Sequence, residues 1–311
     1  MGLSLCKKGV KRMKFDMFKE MVRENISNKM GSDYEVILED VTKNNGVILT
    51  GVLIRMPGEN ISPTIYLNDY YEMFKRAEIS IHQIVARIID VFNTSRPTID
   101  FDIKQFMNYE YIKKKLVLKM VNTEKNRELL REIPHVNYLD LSMIFQIILT
   151  IDGCEDNATI TVTNQHQKMW DVDLDELVFT AKRNTQKLFP STLNTLYSIL
   201  TELMNLGKDT DILDDIPEMY IVTNSKKMNG ATAIVYKDVL RNFANKLGRN
   251  YYILPSSINE LILLPDDGYL EPYELKNIVC GVNASEIDAD EFLSDSVYYY
   301  DKEQDVFSVC V

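Results

Sequence analysis

Apolar residues along the chain recur at two periods, 3.6 and 2, and the two patterns come in blocks. Phe15, Phe18, Val22 and Ile26 form one helical stripe, which predicts an amphipathic helix over residues 15–29. The runs YEVILEDVT and GVILTGVLIRM are rich in β-branched residues and meet across Lys43-Asn44-Asn45-Gly46. Asn-Gly between such runs signals a hairpin, because both residues readily take the positive φ of a tight turn. PTIYL adds a candidate third strand, and Asn68 is placed to cap the helix begun by NDYYEMFKR. The clearest helix is expected over residues 80–93. Ser80 and Gln83 have capping-box spacing, and Ile81, Ile84, Val85, Ile88, Val91 and Phe92 make a wide apolar face.

Further on, YIKKKLVLKMVN predicts a short helix running into a strand, and TEKNRELLREIP a helix ended by Pro134. YLDLSMIFQIILTI and NATITVTN flank Asp152-Gly153 as a second hairpin. Asp173 and Glu176 open a helix with the stripe Leu174, Leu177, Val178, Ala181 and Leu188, stopped by Pro190. A further helix is expected on Leu193, Leu196, Tyr197, Leu200 and Leu203. MYIVTN and GATAIVY read as strands joined by residues 225–229, and KDVLRNFANKLG as a helix ended by Gly248. NYYIL and INELILL read as strands separated by Pro255-Ser256-Ser257. A helix over 272–280 leads to a last hairpin of SVYYY and DVFSVCV. Grouped strands and helices, without strict alternation, predict an α+β fold of mostly antiparallel sheets with amphipathic helices packed on them.

The chain has 311 residues, 45% of them hydrophobic, enough core for two lobes. Composition and charge both change at REIPHVNY, so the expected division is a basic disordered tail over 1–12, an N-terminal lobe over 13–135 and an acidic C-terminal lobe over 136–311. Met13 is an alternative start, because helix-period sequence begins just after it. Residues 1–131 hold 22 Lys and Arg against 17 Asp and Glu; residues 132–311 hold 13 against 29. The second part therefore repels phosphate backbones. Nucleic acid is not expected as a partner except through a patch of Lys113, Lys114, Lys115 and Lys119 in the first part, and a solvated helix face is the reading those lysines favour.

No apolar run approaches the roughly 20 residues of a membrane helix, and the N-terminus lacks an apolar signal region. No membrane association is expected. The four cysteines, Cys6, Cys154, Cys280 and Cys310, are scattered without metal-ligand spacing. That pattern suits a reducing, cytoplasmic setting with no bound metal. No phosphate-binding loop, dinucleotide fingerprint or calcium loop occurs, so no cofactor is expected.

Two constellations carry candidate chemistry. Ser256 and Ser257 precede Glu260 in the stretch NYYILPSSINELILLPDDG. A nucleophilic serine needs an oriented base within hydrogen-bond reach, and His82, His135 and His166, the three histidines, are all distant in sequence. A strand, a corner and a second strand account for the same residues: Pro255 would end the first strand and the serines would satisfy backbone groups in the corner. His166, Trp170 and Asp171, one helical turn of NQHQKMWDVD, form a candidate binding edge, although a lone Trp is more often a core or lobe-interface anchor.

ISPTIYLNDYYEMFK, MYIVTN, GATAIVY and NYYILPSSINELILLP resemble a bacterial domain-of-unknown-function family frequent in anaerobic Gram-positive gut bacteria. The resemblance spans about residues 13–311, including the closing YYYD hairpin, and implies no established activity, cofactor or site residue. In that family a His often precedes the Glu of the Pro-Ser-Ser corner, where this chain has Asn259. The leading expectation is a non-catalytic module that binds a protein or peptide. The alternatives are a hydrolase-like enzyme built on the Pro-Ser-Ser-x-x-Glu corner and nucleic-acid binding through the basic N-terminal lobe.

Overall fold

The computed structural model describes residues 13–56, 62–94, 103–149, 158–203 and 218–311. The tail over 1–12 with Cys6, the Asp152-Gly153 turn with Cys154, and residues 204–217 lie outside them. Among the described residues the chain is α+β, with three antiparallel sheets.

The chain forms two compact units. The first is built from the described residues within 13–43, 47–103 and 149–158; the second from those within Asn44–Gly46, Lys104–Ile148 and Thr159–Val311. This division differs from the boundary expected near residue 135.

In the first unit, helix α1 (Phe15–Met30) buries Phe18, Val22 and Ile26 completely. Strands β1 (Glu35–Thr42) and β2 (Ile48–Arg55) pair from Glu35↔Arg55 to Thr42↔Ile48. Their turn has positive φ at Asn45 and Gly46, as the Asn-Gly signal requires. The short β3 (Ile65–Tyr66) pairs with β2. Helices α2 (Asn68–Lys75) and α3 (Ile81–Thr94) follow. Asn68 is not the cap of α2. It is the first helical residue, and its side-chain oxygen accepts from the Thr50 N–H at 2.9 Å, tying the helix to β2. The Ser80–Gln83 capping box forms as expected, and Ile84, Val85, Ile88 and Phe92 of α3 join Phe18, Val22, Ile26 and Phe74 in one core.

The second unit continues through α4 (Ile103–Phe106), α5 (Tyr109–Ile112), a 3-10 turn at Lys113–Lys115 and β4 (Leu116–Asn122). Then come α6 (Arg127–Glu132), β5 (His135–Tyr138), β6 (Leu141–Leu149) and β7 (Ala158–Thr161). In this sheet β6 is central. It pairs with β4 from Leu116↔Ile147 to Asn122↔Leu141, which binds residues before 135 to residues after it.

Helix α7 (Asn164–Trp170) precedes α8 (Leu174–Leu188). Asp173 caps α8 by accepting from the Glu176 N–H at 2.8 Å. The inward stripe of α8 differs from the expected one. Leu177 and Ala181 are buried, but so are Thr180, Asn184 and Thr185, while Leu188 is 43% exposed. The polar residues have a structural reason: β4 is an edge strand and α8 covers its open side. Thr185 Oγ1 accepts from the Leu118 N–H at 2.9 Å, and Asn184 Nδ2 donates to the carbonyls of Leu116 at 3.0 Å and Lys113 at 2.5 Å. Helix side chains thus stand in for a neighbouring strand.

The six-stranded sheet contains β8 (Ser191–Thr195), β9 (Tyr220–Asn224), β10 (Tyr251–Ser257), β11 (Glu260–Pro265), β12 (Tyr298–Asp301) and β13 (Val306–Val309), in spatial order β13-β12-β10-β11-β9-β8. Helices α9 (Leu196–Leu203), α10 (Lys237–Leu247) and α11 (Pro272–Glu286) accompany it. Two expectations are corrected here. Leu193 lies in strand β8, and the helix begins only at Leu196. GATAIVY is no strand: Gly230–Val235 is a wholly buried 3-10 segment packed against β9 and β11.

The cover on β4 carries a quantitative expectation. Thr185→Val keeps the side-chain shape but strands the buried Leu118 N–H, and should destabilise the protein by about 1–3 kcal/mol in chemical denaturation. Thr185→Ser, which keeps the hydroxyl, should lose clearly less.

Candidate functional site

The corner between β10 and β11 contains the serines singled out from the sequence. Pro255 does not end β10, which continues to Ser257 through an irregularity in register between Leu254 and Ser257. Proline lacks a donor for a regular ladder, so its place within this irregularity follows. The chain turns at Ile258-Asn259, and Ser257 stands opposite Glu260. Ser256 and Ser257 are buried, 6% and 5% exposed. Ser257 Oγ accepts from the Asn259 N–H at 3.0 Å and tightens the turn.

Asn259 is the hub of this corner. Its carbonyl accepts from the Thr223 hydroxyl at 2.7 Å, and its Oδ1 from the Asn229 N–H at 3.1 Å. Its Nδ2 donates to Glu291 at 3.0 Å. Asn229 in turn donates to Gln146 Oε1 at 3.0 Å, so a polar chain runs from β6 to the corner. Gly230 permits this approach. A Cβ there would lie 2.2 Å from the Asn259 carbonyl oxygen and 2.8 Å from Thr223 Cα, so a larger residue must displace backbone.

The Glu260 carboxyl is pushed up, first by burial and second by the charge of Glu291, while Lys227 works against the shift. Neither serine hydroxyl is hydrogen-bonded to a histidine among the described residues. His135 Nδ1 lies 3.1 Å from the Ile133 carbonyl, and His166 Nδ1 accepts from the Thr163 N–H at 3.2 Å. The structure brings Ser257 and Glu260 face to face without an oriented base beside them.

The candidate edge at His166, Trp170 and Asp171 lies on α7. His166 completes a capping box with Thr163, and burial lowers its pKa. Trp170 is buried and donates to the Phe106 carbonyl at 2.9 Å, with Phe106, Tyr109 and His166 packed around its indole. Asp171 ends the helix in a left-handed conformation. His166 and Trp170 are thus engaged in holding α4 and α5 onto α7.

The lysine group does not form one continuous free patch. Lys113 pairs with Glu110, Lys115 lies over the Tyr111 ring, and Lys119 is half-buried on β4. Among the described residues no group of three or more His, Cys, Asp and Glu side chains could hold a metal ion, and no helix is long and apolar enough to cross a membrane.

A feature that sequence reasoning missed lies at the other end of the six-stranded sheet. Among the described residues β8 pairs with β9 alone, from Ser191↔Asn224 to Thr195↔Tyr220. Because Leu196 N–H donates to the Met219 carbonyl at 2.8 Å, strand alternation turns the backbone groups of Thr192 and Asn194 toward β9 and those of Leu193 outward. The outward Leu193 N–H and C=O have no partner among the described residues. Beside this edge is a pocket of about 220 Å³, with Leu193, Val222, Val239 and Phe243 supplying its apolar lining and Lys246 its charge. The signal was the β-branched STLNT after Pro190, masked by the helical spacing of the leucines beyond it.

An antiparallel α+β protein with a buried polar corner, whose six-stranded sheet ends at β8 among the described residues, is the class these features define. The chain belongs to a family of unknown function, DUF5688, whose sequence profile matches residues 15–302. No curated protein and no solved structure matches it.

Two expected outcomes test the corner. Gly230→Ala forces displacement around Asn259 and should cost about 1–3 kcal/mol of stability in denaturant titration. For Glu260 the sign follows from a raised folded-state pKa. The ionised carboxylate costs stability above that value, and the cost fades as pH falls through it toward the unfolded value of 4.5. Glu260→Gln should therefore be more stable than wild type at pH 7, with the advantage shrinking by pH 4.5.

Proposed function

We propose that the protein acts by binding a partner protein, and that the β8 edge takes an extended segment of that partner as an added strand. The observation that carries this reading is the conjunction of a Leu193 backbone without a partner among the described residues and an apolar pocket beside it. Strand addition draws affinity from main-chain hydrogen bonds and specificity from pockets for alternate side chains, and the β8 edge offers both. The Pro-Ser-Ser-x-x-Glu corner gives less support to hydrolysis, since both serines are buried and Ser257 is committed to the turn.

The test is a displayed library of random heptapeptides selected on the full-length protein. Peptides with an apolar residue between polar neighbours should be enriched. Leu193→Lys, which sets a charge at the pocket, should weaken the selected peptides by at least about tenfold, or 1.4 kcal/mol, with an unchanged circular dichroism spectrum. Absence of enrichment on wild type, or equal binding by the variant, refutes the reading.

A further inference from the structure

We infer that the segment taken by the β8 edge is acidic; this rests on the strand-addition reading above. Four exposed lysines surround the edge in a chain of net charge −11. Lys246, in the last turn of α10, lines the pocket together with Ser191 and Thr192. Lys226 and Lys227 follow closely on Asn224, the residue opposite Ser191 in β9. Lys187 lies in the last turn of α8, just ahead of β8. They come from three different elements and gather at the Ser191 end of one strand.

No ion pair among the described residues involves any of the four. Lys19, Arg23, Lys75, Arg127 and Arg131, by contrast, each pair with a carboxylate three residues away. Among the described residues, the carboxyl groups of the neighbouring elements, Glu260 and Glu291 at the β10–β11 corner included, are fewer than the lysines or held elsewhere. β8 and β9 contain none. Glu218, near the Thr195 end, is held by Arg249 at 2.6 Å. Asp238 sits in the first turn of α10, at the far end from Lys246. Glu260 interacts electrostatically with Lys227 alone of the four.

Lysines beside an edge strand also guard against self-pairing. Here that argument selects the occupant. A second copy paired antiparallel at β8 would set its own carboxylate-free strand beside the lysines, whereas an extended segment bearing Asp or Glu would complement them. Its apolar residue would enter the pocket and its acids would meet the lysine rim. Exposed charge pairs contribute orientation and association rate more than affinity, so the effect is expected to be modest and salt-sensitive.

The heptapeptide selection is repeated on the full chain and on a variant combining K187E, K226E, K227E and K246E. A second variant with glutamine at the same four positions separates loss of positive charge from reversal. Peptides enriched on wild type should be rich in Asp and Glu. On the glutamate variant the bias should turn to Lys and Arg, and on the glutamine variant it should vanish. Raising salt from about 0.05 to about 0.5 M should weaken the acidic peptides several-fold on wild type. Enrichment without an acidic bias on wild type overturns the charge inference while leaving strand addition standing. Absence of any enrichment on wild type overturns strand addition itself. If the glutamate variant fails to fold, the glutamine variant decides alone: an acidic bias that persists on it refutes a role for the lysines. A self-associating protein, shown by light scattering and abolished by Leu193→Lys, would assign the edge to a second copy instead.

Discussion

The contact of Gly230 with the Asn259 carbonyl is the constraint around which the second unit is arranged. It lets a buried 3-10 segment lie directly on the β10–β11 corner, with the Ala231 N–H donating to the Ile258 carbonyl at 3.2 Å. It also lets Asn229 reach both Asn259 and Gln146, so that polar groups of two sheets satisfy one another away from water. Buried amides left without partners cost more than the bonds are worth when made, which is why such a network tolerates little displacement. Asn229 and Lys227 both adopt left-handed backbone here, an arrangement that persists only where surrounding contacts enforce it.

Much of the fold was legible because its elements follow simple periodic rules. The stripe Phe18, Val22 and Ile26, the Asn-Gly hairpin turn and the Ser80–Gln83 capping box are local signals, and tertiary structure leaves each in place. The misreadings occur where tertiary contacts outweigh local preference. GATAIVY has strand composition, but burial on both sides and the tight approach at Gly230 make it a 3-10 segment. Leu193 has helical spacing to Leu196 and Leu200, yet β9 recruits it as a strand. Asn184 and Thr185 read as polar surface residues, because nothing local reveals that an edge strand needs their hydrogen-bonding groups.

The candidate site divides the same way. Ser256, Ser257 and Glu260 were legible as a group because they lie within one short stretch of sequence, and pairing sets Ser257 against Glu260. The β8 pocket was not, because its walls come from residues 191–193, 222 and 239–246, and only the register of β8 on β9 brings them together. His166 and Trp170 share a helix face, but that face turns inward onto Phe106 and Tyr109.

The substitution of helix side chains for a strand along β4 has a consequence for how the chain is made. Leu118 and the Thr185 that satisfies it are 67 residues apart. At roughly 5–20 residues per second, a ribosome delivers α8 about 3–13 seconds after β4. During that interval a strand of largely apolar residues, Leu116 to Val121, has an uncovered edge in the nascent chain. Synthesis therefore passes through a window in which this strand can pair with another chain, and the docking of α8 closes it.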